Sequence, residues 1–230
     1  MFELAAQMRQ DGKPVYDLSL GNPSLEPPAI WREAIRGLLE DEPGGMHRYM
    51  TNAGYPEVRA FIAQRESARY GVEFEEADVT MTVGAAGGLN VLLRAMIDPG
   101  DQIVVPAPCF SEYGHYCANA SAELVLRPSG ADFALDAQSI AEGLTDKSRI
   151  VLLNSPNNPT GAIYSEQELA ELAKVLTAHS EKIGRPVFVV EDSPYRDLSH
   201  DGADVPSMLR HYPHVVFLTS HSKDLGLAGE

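Results

Sequence analysis

The sequence is poor in cysteine and contains no long apolar run, and each shortage excludes a class of protein. Two cysteines in 230 residues form no disulfide framework, and the spacing of Cys109 and Cys117 fits no zinc motif. No apolar run approaches the roughly 20 residues that span a bilayer. The first ten residues lack the basic start and apolar block of a secretory signal. We therefore expect a cytoplasmic protein whose thiols are buried and structural.

Positive charge is also scarce, with 18 lysines and arginines against 33 aspartates and glutamates and a net charge of −15. Such a surface repels nucleic acid and anionic membranes, so we expect neither as a partner. Any bound anion would need a local, preorganised site. The chain is nevertheless 44% hydrophobic, which suffices for a sizeable core, and it has no internal repeat.

A Gly- and Pro-rich segment, predicted to be irregular, precedes residue 31, and strand and helix patterns alternate after it. The predicted helices cover 31–40, 55–70 and 85–97, and another begins at the capping box of Ser165 and Glu168. The predicted strands cover 79–83, 103–105, 150–153, 187–190 and 215–218, with Pro106 expected to end the second. This alternation predicts an α/β fold with a mostly parallel sheet and helices on both faces, in three layers. Such sheets bind ligands at the carboxyl ends of their strands.

Small residues follow the first predicted strand, where Gly84-Ala85-Ala86-Gly87-Gly88 leads into a helix. The free N–H groups and the dipole of a helix start favour an anion such as phosphate. The segment matches neither G-x-G-x-x-G nor a Walker loop, which disfavours a dinucleotide or ATP. A tight turn without a ligand explains the glycines equally well.

The next three strand ends carry aromatic, amide and carboxylate groups. Phe110 and Tyr113 follow the second strand, and one of them could stack on a flat ligand or simply pack in the core. Asn158 belongs to "NSPNNPTG", a rigid turn rich in amide donors and acceptors. Asp192 and Tyr195 follow the fourth strand, where a carboxylate is costly unless it is paired or caps a helix.

The fifth strand end carries a lysine. The chain has only five lysines, and Lys223 alone follows a predicted buried strand, in "TSHSK". A neutral amine at this edge is a nucleophile toward aldehydes and forms a Schiff base with them. The strand ends together therefore offer an anion site, an aromatic ring, an amide, a carboxylate and a lysine.

With "NSPNNPTG" and "SHSKDLGLAGE" in this order, the whole chain from "LSLGNPS" onward resembles the fold-type I pyridoxal-phosphate enzymes, specifically the class I/II aminotransferases of the aspartate aminotransferase type. The resemblance implies that Lys223 holds pyridoxal 5'-phosphate as a Schiff base and moves a proton during catalysis. It implies that Asp192 pairs with the pyridinium nitrogen and that Asn158 and Tyr195 bond the ring's phenolic oxygen. Phe110 would stack on the ring.

The resemblance also implies contacts with the phosphate and with the substrate. The phosphate would lie on the backbone of Gly84, Ala85 and Ala86, with hydroxyls from Ser220 and Ser222. Tyr49 would reach the phosphate of a neighbouring subunit in a homodimer, and Gly21 and Asn158 would lie near the substrate. Two positions depart from the family pattern, because Ala86 lacks a hydroxyl and His221 replaces an apolar residue.

The family motif continues past Glu230 to an arginine that binds phosphate. We therefore expect a fragment, in which 1–30 are an N-terminal arm or part of a small domain and 31–230 are an incomplete cofactor-binding large domain. The rest of that domain and a C-terminal small domain would be absent, and the 230 residues alone would be inactive.

The resemblance favours an aminotransferase that moves an amino group between an L-amino acid and a 2-oxo acid. A β-lyase or an enzyme similar to aminocyclopropane-carboxylate synthase would use the same cofactor and lysine. A regulatory aminotransferase-like domain is disfavoured, because the chain is acidic and has no basic DNA-binding segment. Acidic, aromatic and aliphatic amino acids all remain open as substrates.

Overall fold

A five-stranded parallel sheet forms the centre of the chain, whose computed structural model describes residues 2–16, 21, 26–41, 44 and 47–228. The strands are β1 (Gln102–Ala107), β2 (Glu123–Pro128), β3 (Ser148–Asn154), β4 (Phe188–Asp192) and β5 (Val215–Leu218). Their order across the sheet is β2-β1-β3-β4-β5, and every neighbouring pair is parallel. The predicted mostly parallel sheet is confirmed. Most of the irregular segment predicted before residue 31, and also Gly229 and Glu230, lie outside the described residues.

Helices surround the sheet and connect its strands. They are α1 (Phe2–Gln10), α2 (Ala29–Asp41), α3 (Pro56–Tyr70), α4 (Gly84–Met96), α5 (Glu112–Asn119), α6 (Ala137–Gly143), α7 (Glu166–Ile183) and α8 (His221–Asp224). The predicted Ser165–Glu168 capping box begins α7, and Gly71 ends α3 in the left-handed conformation at φ 68°. No described helix is long and apolar enough to cross a membrane.

The sheet separates two apolar clusters, one on each face. Alternate residues of β3 enter different clusters, with Val151 and Leu153 on one side and Ile150 and Leu152 on the other. Helices α6 and α7 cover the first side, and α4 and α5 cover the second. This double burial explains why the central strands are continuous apolar runs, and it confirms the predicted three layers.

Residues 79–83 were predicted to form a strand, and this prediction is wrong. The segment is extended, but it pairs with no strand of the described residues. Its backbone bonds to other groups instead, since Met81 N–H donates to the Ala53 carbonyl at 2.8 Å and Arg59 Nε donates to the Val79 carbonyl at 2.7 Å. An alternating pattern indicates a strand only where a neighbouring strand is available to complete the ladder.

Strand β1 continues through Pro106, which was expected to end it. The pairing of β1 with β3 extends only to Val104, so no bond to β3 requires an N–H at Pro106. Strand β2 was not predicted, because it lies at the sheet edge and alternates buried and exposed residues rather than forming an apolar run. Helices α5 and α6, which follow β1 and β2, were not predicted either.

Candidate functional site

A cavity of about 1290 Å³ lies at the carboxyl edge of the sheet. Its walls include the residues that end or follow β1, β3, β4 and β5. Among the predicted site residues, those that line it are Gly21, Gly84, Ala85, Ala86, Phe110, Asn158, Asp192, Tyr195, Ser220, Ser222 and Lys223. A second cavity of about 450 Å³, on the surface of α7, contains none of them.

Asp192 is the last residue of β4 and has an incompletely satisfied carboxylate. Its Oδ2 accepts a hydrogen bond from the Tyr113 hydroxyl at 2.7 Å. Its Oδ1 is buried and has no hydrogen-bond partner among the described residues. Burial raises the pKa of Asp192 to about 6, although the bond from Tyr113 acts in the opposite direction. Because Asp192 caps no described helix, the free oxygen indicates a place for a donor that the described residues do not supply.

Tyr113 belongs to α5 and joins the apolar core to this carboxylate. It is 1% exposed, and its ring meets that of Phe110 edge-on, with centroids 5.6 Å apart. Burial, reinforced by nearby Asp192, raises the pKa of Tyr113 far above its usual value. The hydroxyl therefore stays protonated and is the donor of the hydrogen bond to Asp192. The sequence indicated either stacking or core packing for the two aromatics. Phe110 lines the cavity, whereas Tyr113 packs in the core and also holds Asp192.

Three asparagines of "NSPNNPTG" have three different tasks. Asn154, at the end of β3, is 4% exposed; its Nδ2 donates to the Asp192 carbonyl at 2.7 Å and its Oδ1 accepts the Asn158 N–H at 2.6 Å. The Asn157 side chain accepts bonds from the backbone and hydroxyl of Thr160 and stabilises the turn. All three asparagines line the cavity, and the Asn158 side chain also approaches Tyr195 there. Sequence reasoning missed the role of Asn154, for which the density of asparagines was the available signal.

Asn158 and Tyr195 approach each other at the cavity wall. The Asn158 Nδ2 lies 3.5 Å from the Tyr195 hydroxyl, at the outer limit of a hydrogen bond. Burial raises the pKa of Tyr195, and the contact with Asn158 opposes that shift. Two hydrogen-bond donors therefore converge near one point, where they could share an acceptor from a ligand.

Lys223 follows β5 and is the only lysine that lines the cavity within the described residues. Its Nζ donates to the carbonyl of Gly21 at 2.9 Å. This bond joins residues 202 positions apart in the chain, so the fold brings the predicted lysine and the predicted substrate-contacting glycine together.

The start of α4 and the loop after β5 form another wall of the cavity. Gly84 has a φ of +63°, and a Cβ placed on it would lie 3.9 Å from the Ser222 hydroxyl oxygen. The first N–H groups of a helix have no acceptor within the helix, and Gly84, Ala85 and Ala86 occupy that position in α4. Ser220 occupies the N-cap position of α8, but its side chain makes no capping bond. Backbone and hydroxyl donors are thus available on one side of the cavity.

Three other residues singled out in the sequence have different surroundings. Tyr49 is fully exposed and does not line the cavity. His221 also lies outside the cavity lining and bonds Asp224 through Nδ1 at 3.0 Å. Cys117 is buried as expected, whereas Cys109 is half-buried and lines the cavity, so only one thiol is a core residue. Within the described residues, no cluster of three or more metal-binding side chains occurs.

A parallel sheet with a lysine, a buried carboxylate, a phenol and an amide at one edge defines the chain as a fold-type I large domain. The sequence profile described as "Aminotransferase class I and II" matches residues 13–230. The chain therefore belongs to the class I and II aminotransferase family, whose members generally depend on pyridoxal phosphate.

Individual relatives agree with this assignment. An aspartate aminotransferase of Pyrococcus horikoshii is 28% identical over 232 residues, which cover 100% of this chain and 56% of that protein. The crystal structure of an amino transferase from Eubacterium rectale is 37% identical with a TM-score of 0.93, and the match covers 100% of this chain and 59% of that one. The structure of Thermus thermophilus aspartate aminotransferase with maleate is 27% identical with a TM-score of 0.90, covering 99% of this chain and 58% of that one. The chain thus spans somewhat more than half the length of these relatives.

Proposed function

We propose that this chain is the cofactor-binding part of a pyridoxal-phosphate-dependent aminotransferase, which moves an amino group between an L-amino acid and a 2-oxo acid. The observation that carries the proposal is the buried, unpartnered Oδ1 of Asp192 in the cavity that Lys223 also lines. A buried carboxylate oxygen without a partner is costly, and a protonated pyridine nitrogen is the cationic donor that would satisfy it.

Pyridoxal phosphate would supply an aldehyde that reacts with amines and an aromatic ring that withdraws electrons. Asp192 would keep the ring nitrogen protonated, and Tyr113 would hold the carboxylate in the orientation that this requires. Support for these roles comes from the 2.7 Å bond between the Tyr113 hydroxyl and Asp192 Oδ2, which leaves only Oδ1 for the ligand.

Lys223 would hold the cofactor covalently. An amine at that place is the nucleophile with which the cofactor's aldehyde would react. When not bound to the cofactor, the Lys223 amine would act as the group that moves a proton from the substrate α-carbon. The bond from Nζ to the carbonyl of Gly21 supports the placement of Gly21 beside the substrate, where Asn158 would also contribute.

The remaining wall residues would orient the ring and the phosphate. Tyr195 and Asn158 would donate to the phenolic oxygen, and Phe110 would stack on the ring face. The N–H groups of Gly84, Ala85 and Ala86 and the hydroxyls of Ser220 and Ser222 would bind the phosphate. Their common position along the cavity and the absence of a capping bond from the Ser220 side chain support this assignment.

The domain and assembly assignments form part of the same proposal. We assign 31–230 to the cofactor-binding large domain and 1–30 to an N-terminal segment that is an arm or part of a small domain. We further propose a cytoplasmic homodimer in which Tyr49 reaches the phosphate of the other subunit, and the complete exposure of Tyr49 supports such a reach. Aspartate is the first amino donor to test, because several relatives are named aspartate aminotransferase and one was solved with maleate, a dicarboxylate.

Borohydride reduction of the full-length gene product, loaded with pyridoxal phosphate, tests the lysine assignment. Reduction converts a Schiff base into a stable amine, and peptide mapping should find the label on Lys223. The Lys223→Ala protein serves as the control and should carry no label. Labelling of a different lysine in the native protein contradicts the proposal.

The reaction type is tested by adding an amino acid without a 2-oxo acid. An aminotransferase should convert its bound cofactor to the pyridoxamine form and stop after one turnover. Continuous release of product without that conversion would identify a β-lyase instead.

A further inference from the structure

The turn that carries Tyr195 faces the cavity on one side and α3 on the other. Leu198 N–H donates to the Tyr195 carbonyl at 2.9 Å, which closes a turn over residues 195–198. Tyr195 and Leu198 line the cavity, whereas the two residues between them do not. Arg196 and Asp197 instead bond to side chains of α3. The turn therefore connects a cavity residue to a helix that contributes no residue to the cavity lining.

The Arg196 side chain makes the principal contact with α3. Its Nη1 donates to Glu66 Oε2 at 2.6 Å and its Nη2 donates to Glu66 Oε1 at 2.8 Å, in a bidentate arrangement. The two side chains are only 4% and 9% exposed. Tyr70 also accepts a bond from Nη1 at 3.0 Å, and the guanidinium lies 5.0 Å from the ring centroid of Phe217 in β5. The arginine is thus held by α3 and by the sheet at once.

A second ion pair joins the same turn to the same face of α3. Arg69 Nη2 lies 2.6 Å from Asp197 Oδ1, and both side chains are partly exposed. Glu66 and Arg69 are three residues apart, so they lie on one side of the helix. Two consecutive turn residues are therefore attached to two neighbouring positions of α3, and this double attachment opposes rotation as well as translation of the turn.

We propose that the buried Arg196–Glu66 pair is a positioning device, which holds the turn against α3 and thereby sets the place of the Tyr195 hydroxyl in the cavity. The inference rests on the proposed function, in which Tyr195 donates to the cofactor. A bidentate ion pair restricts both distance and angle, which an apolar contact does not. Displacement of about 1 Å at a catalytic group lowers activity substantially, so such a restraint has a functional value beyond stability.

The energetics of buried ion pairs support a positioning role. Burial alone would raise the pKa of Glu66, but Arg196 and Arg65 outweigh burial and lower it, so the pair is ionic. Desolvating two charges consumes most of their attraction, and apolar pairs of similar size often stabilise a fold equally well. The pair is therefore better explained by the geometry that it imposes.

The test compares two double variants of the full-length gene product. In Arg196→Met with Glu66→Met, both charges are removed together, so no unpaired charge remains buried and the fold should persist. Arg127→Met with Glu142→Met is the control for loss of an arginine–glutamate pair as such. That pair, at 2.7 Å, is more exposed and joins β2 to α6 at the other edge of the sheet. Each double variant is also made together with Tyr195→Phe.

Hydrogen exchange of the protein without cofactor tests the restraint on the turn. The Leu198 amide should exchange about tenfold faster in the Arg196/Glu66 variant, because the turn opens more often, and should be unchanged in the control. An unchanged Leu198 exchange rate in the Arg196/Glu66 variant overturns the inference, whether or not the protein binds pyridoxal phosphate.

The absorption of the bound cofactor tests the consequence for Tyr195. A hydroxyl that donates to the cofactor's phenolic oxygen stabilises the deprotonated form of the bound cofactor. Displacing the Tyr195 hydroxyl should therefore raise the pH at which the absorption of the bound cofactor is halfway through its change. We expect a rise of about one pH unit, the equivalent of roughly one hydrogen bond. Removing the Arg196–Glu66 pair should add nothing when Tyr195 is already phenylalanine.

The outcomes separate this inference from the proposed function. If the native protein binds no pyridoxal phosphate, the proposed function fails. If the native protein binds it and the Arg196/Glu66 variant keeps the native midpoint, the positioning role fails alone. The positioning role also fails if removing the Arg196–Glu66 pair shifts the midpoint equally in the Tyr195 protein and in the Tyr195→Phe protein. The pair would then act through a group other than the Tyr195 hydroxyl.

Discussion

Two adjacent carboxylates at the end of β4 have opposite surroundings. Glu191 is buried and accepts bonds from the Ser207 hydroxyl at 2.9 Å, the Met208 N–H at 2.9 Å and the Ser193 hydroxyl at 3.3 Å. Asp192, on the other face of the strand, has one bonded oxygen and one oxygen without a partner among the described residues. Both are acids at a strand end, Glu191 buried and Asp192 half-buried, yet only Asp192 lines the cavity. For Glu191 the complete set of partners indicates a structural role. For Asp192 the position of the unpartnered oxygen in the cavity indicates that a ligand supplies the remaining donor.

Replacement of Asp192 by asparagine should have the largest effect on activity and a small effect on the fold. The amide can still accept the Tyr113 bond, but it cannot keep a ring nitrogen protonated. We expect kcat to fall about 10²–10³-fold, the usual effect of losing one electrostatic contact in an active site. Steady-state kinetics and thermal melting measure the two effects. A large drop in the melting midpoint, sufficient to explain the loss of activity by unfolding, would mean that Asp192 is structural.

The Glu191→Ala variant should show the converse behaviour. Three donors lose their acceptor, so the free energy of unfolding should decrease by about 3 kcal/mol. The protein that remains folded should bind pyridoxal phosphate with nearly native affinity. Denaturant unfolding and cofactor titration check this pair of outcomes, and a selective loss of cofactor binding at unchanged stability would reverse the assignment.

The pH dependence of stability should distinguish the same two acids. Burial raises the pKa of Glu191 to about 7, although its hydrogen bonds act in the opposite direction. The folded protein then holds a proton that the unfolded chain has released, so this group lowers stability as pH rises from about 4.5 to about 7. We expect Glu191→Gln to remove on the order of 1–3 kcal/mol of this dependence.

The matched measurement uses Asp192→Asn without cofactor. The pKa of Asp192 is raised to about 6, so Asp192 also lowers stability as pH rises. This loss of stability should end about one pH unit lower than the loss caused by Glu191. Melting midpoints of parent and variants between pH 4 and pH 8 provide the comparison. Identical pH profiles of the melting midpoint for the parent and Glu191→Gln would contradict a raised pKa of the buried Glu191.

Tyr113→Phe should have the smallest effect. The variant keeps the ring in the core but removes the donor to Asp192 Oδ2, which leaves both carboxylate oxygens free. We expect activity to fall about tenfold, the equivalent of one hydrogen bond to a charged group. The free energy of unfolding should fall by about 1–2 kcal/mol, less than for Glu191→Ala, because one acceptor loses its donor rather than three donors losing theirs. A native rate would show that the carboxylate needs no support from Tyr113.

The strand ends of the site could be predicted because parallel strands present their carboxyl ends at one edge. That rule placed Asn158, Asp192 and Lys223 together from local patterns alone, and the cavity brings them together. The same patterns were wrong for 79–83, where a strand-like alternation has no neighbouring strand to pair with. Local pattern therefore predicted which side chains reach the edge more reliably than it predicted which segments pair.

The contacts between elements could not be predicted in this way. Nothing in "EDSPYRDL" distinguishes Glu191 from Asp192, or shows that Arg196 turns toward a helix 130 residues earlier. The bond from Tyr113 to Asp192 likewise spans 79 positions. Such pairs depend on strand order and on helix placement, which are properties of the whole sheet.

The sequence by itself determined four of the five strands, the capping of α7 and the chemical groups at the strand ends. These features follow from periodicity and from turn chemistry within a few residues, so they can be predicted without knowledge of the segments that pack against them. Only the tertiary structure decided which carboxylate is satisfied, which tyrosine supports it and which helix holds the turn of Tyr195. Those properties depend on burial and on distances between segments remote in the chain, and both exist only once the layers have packed.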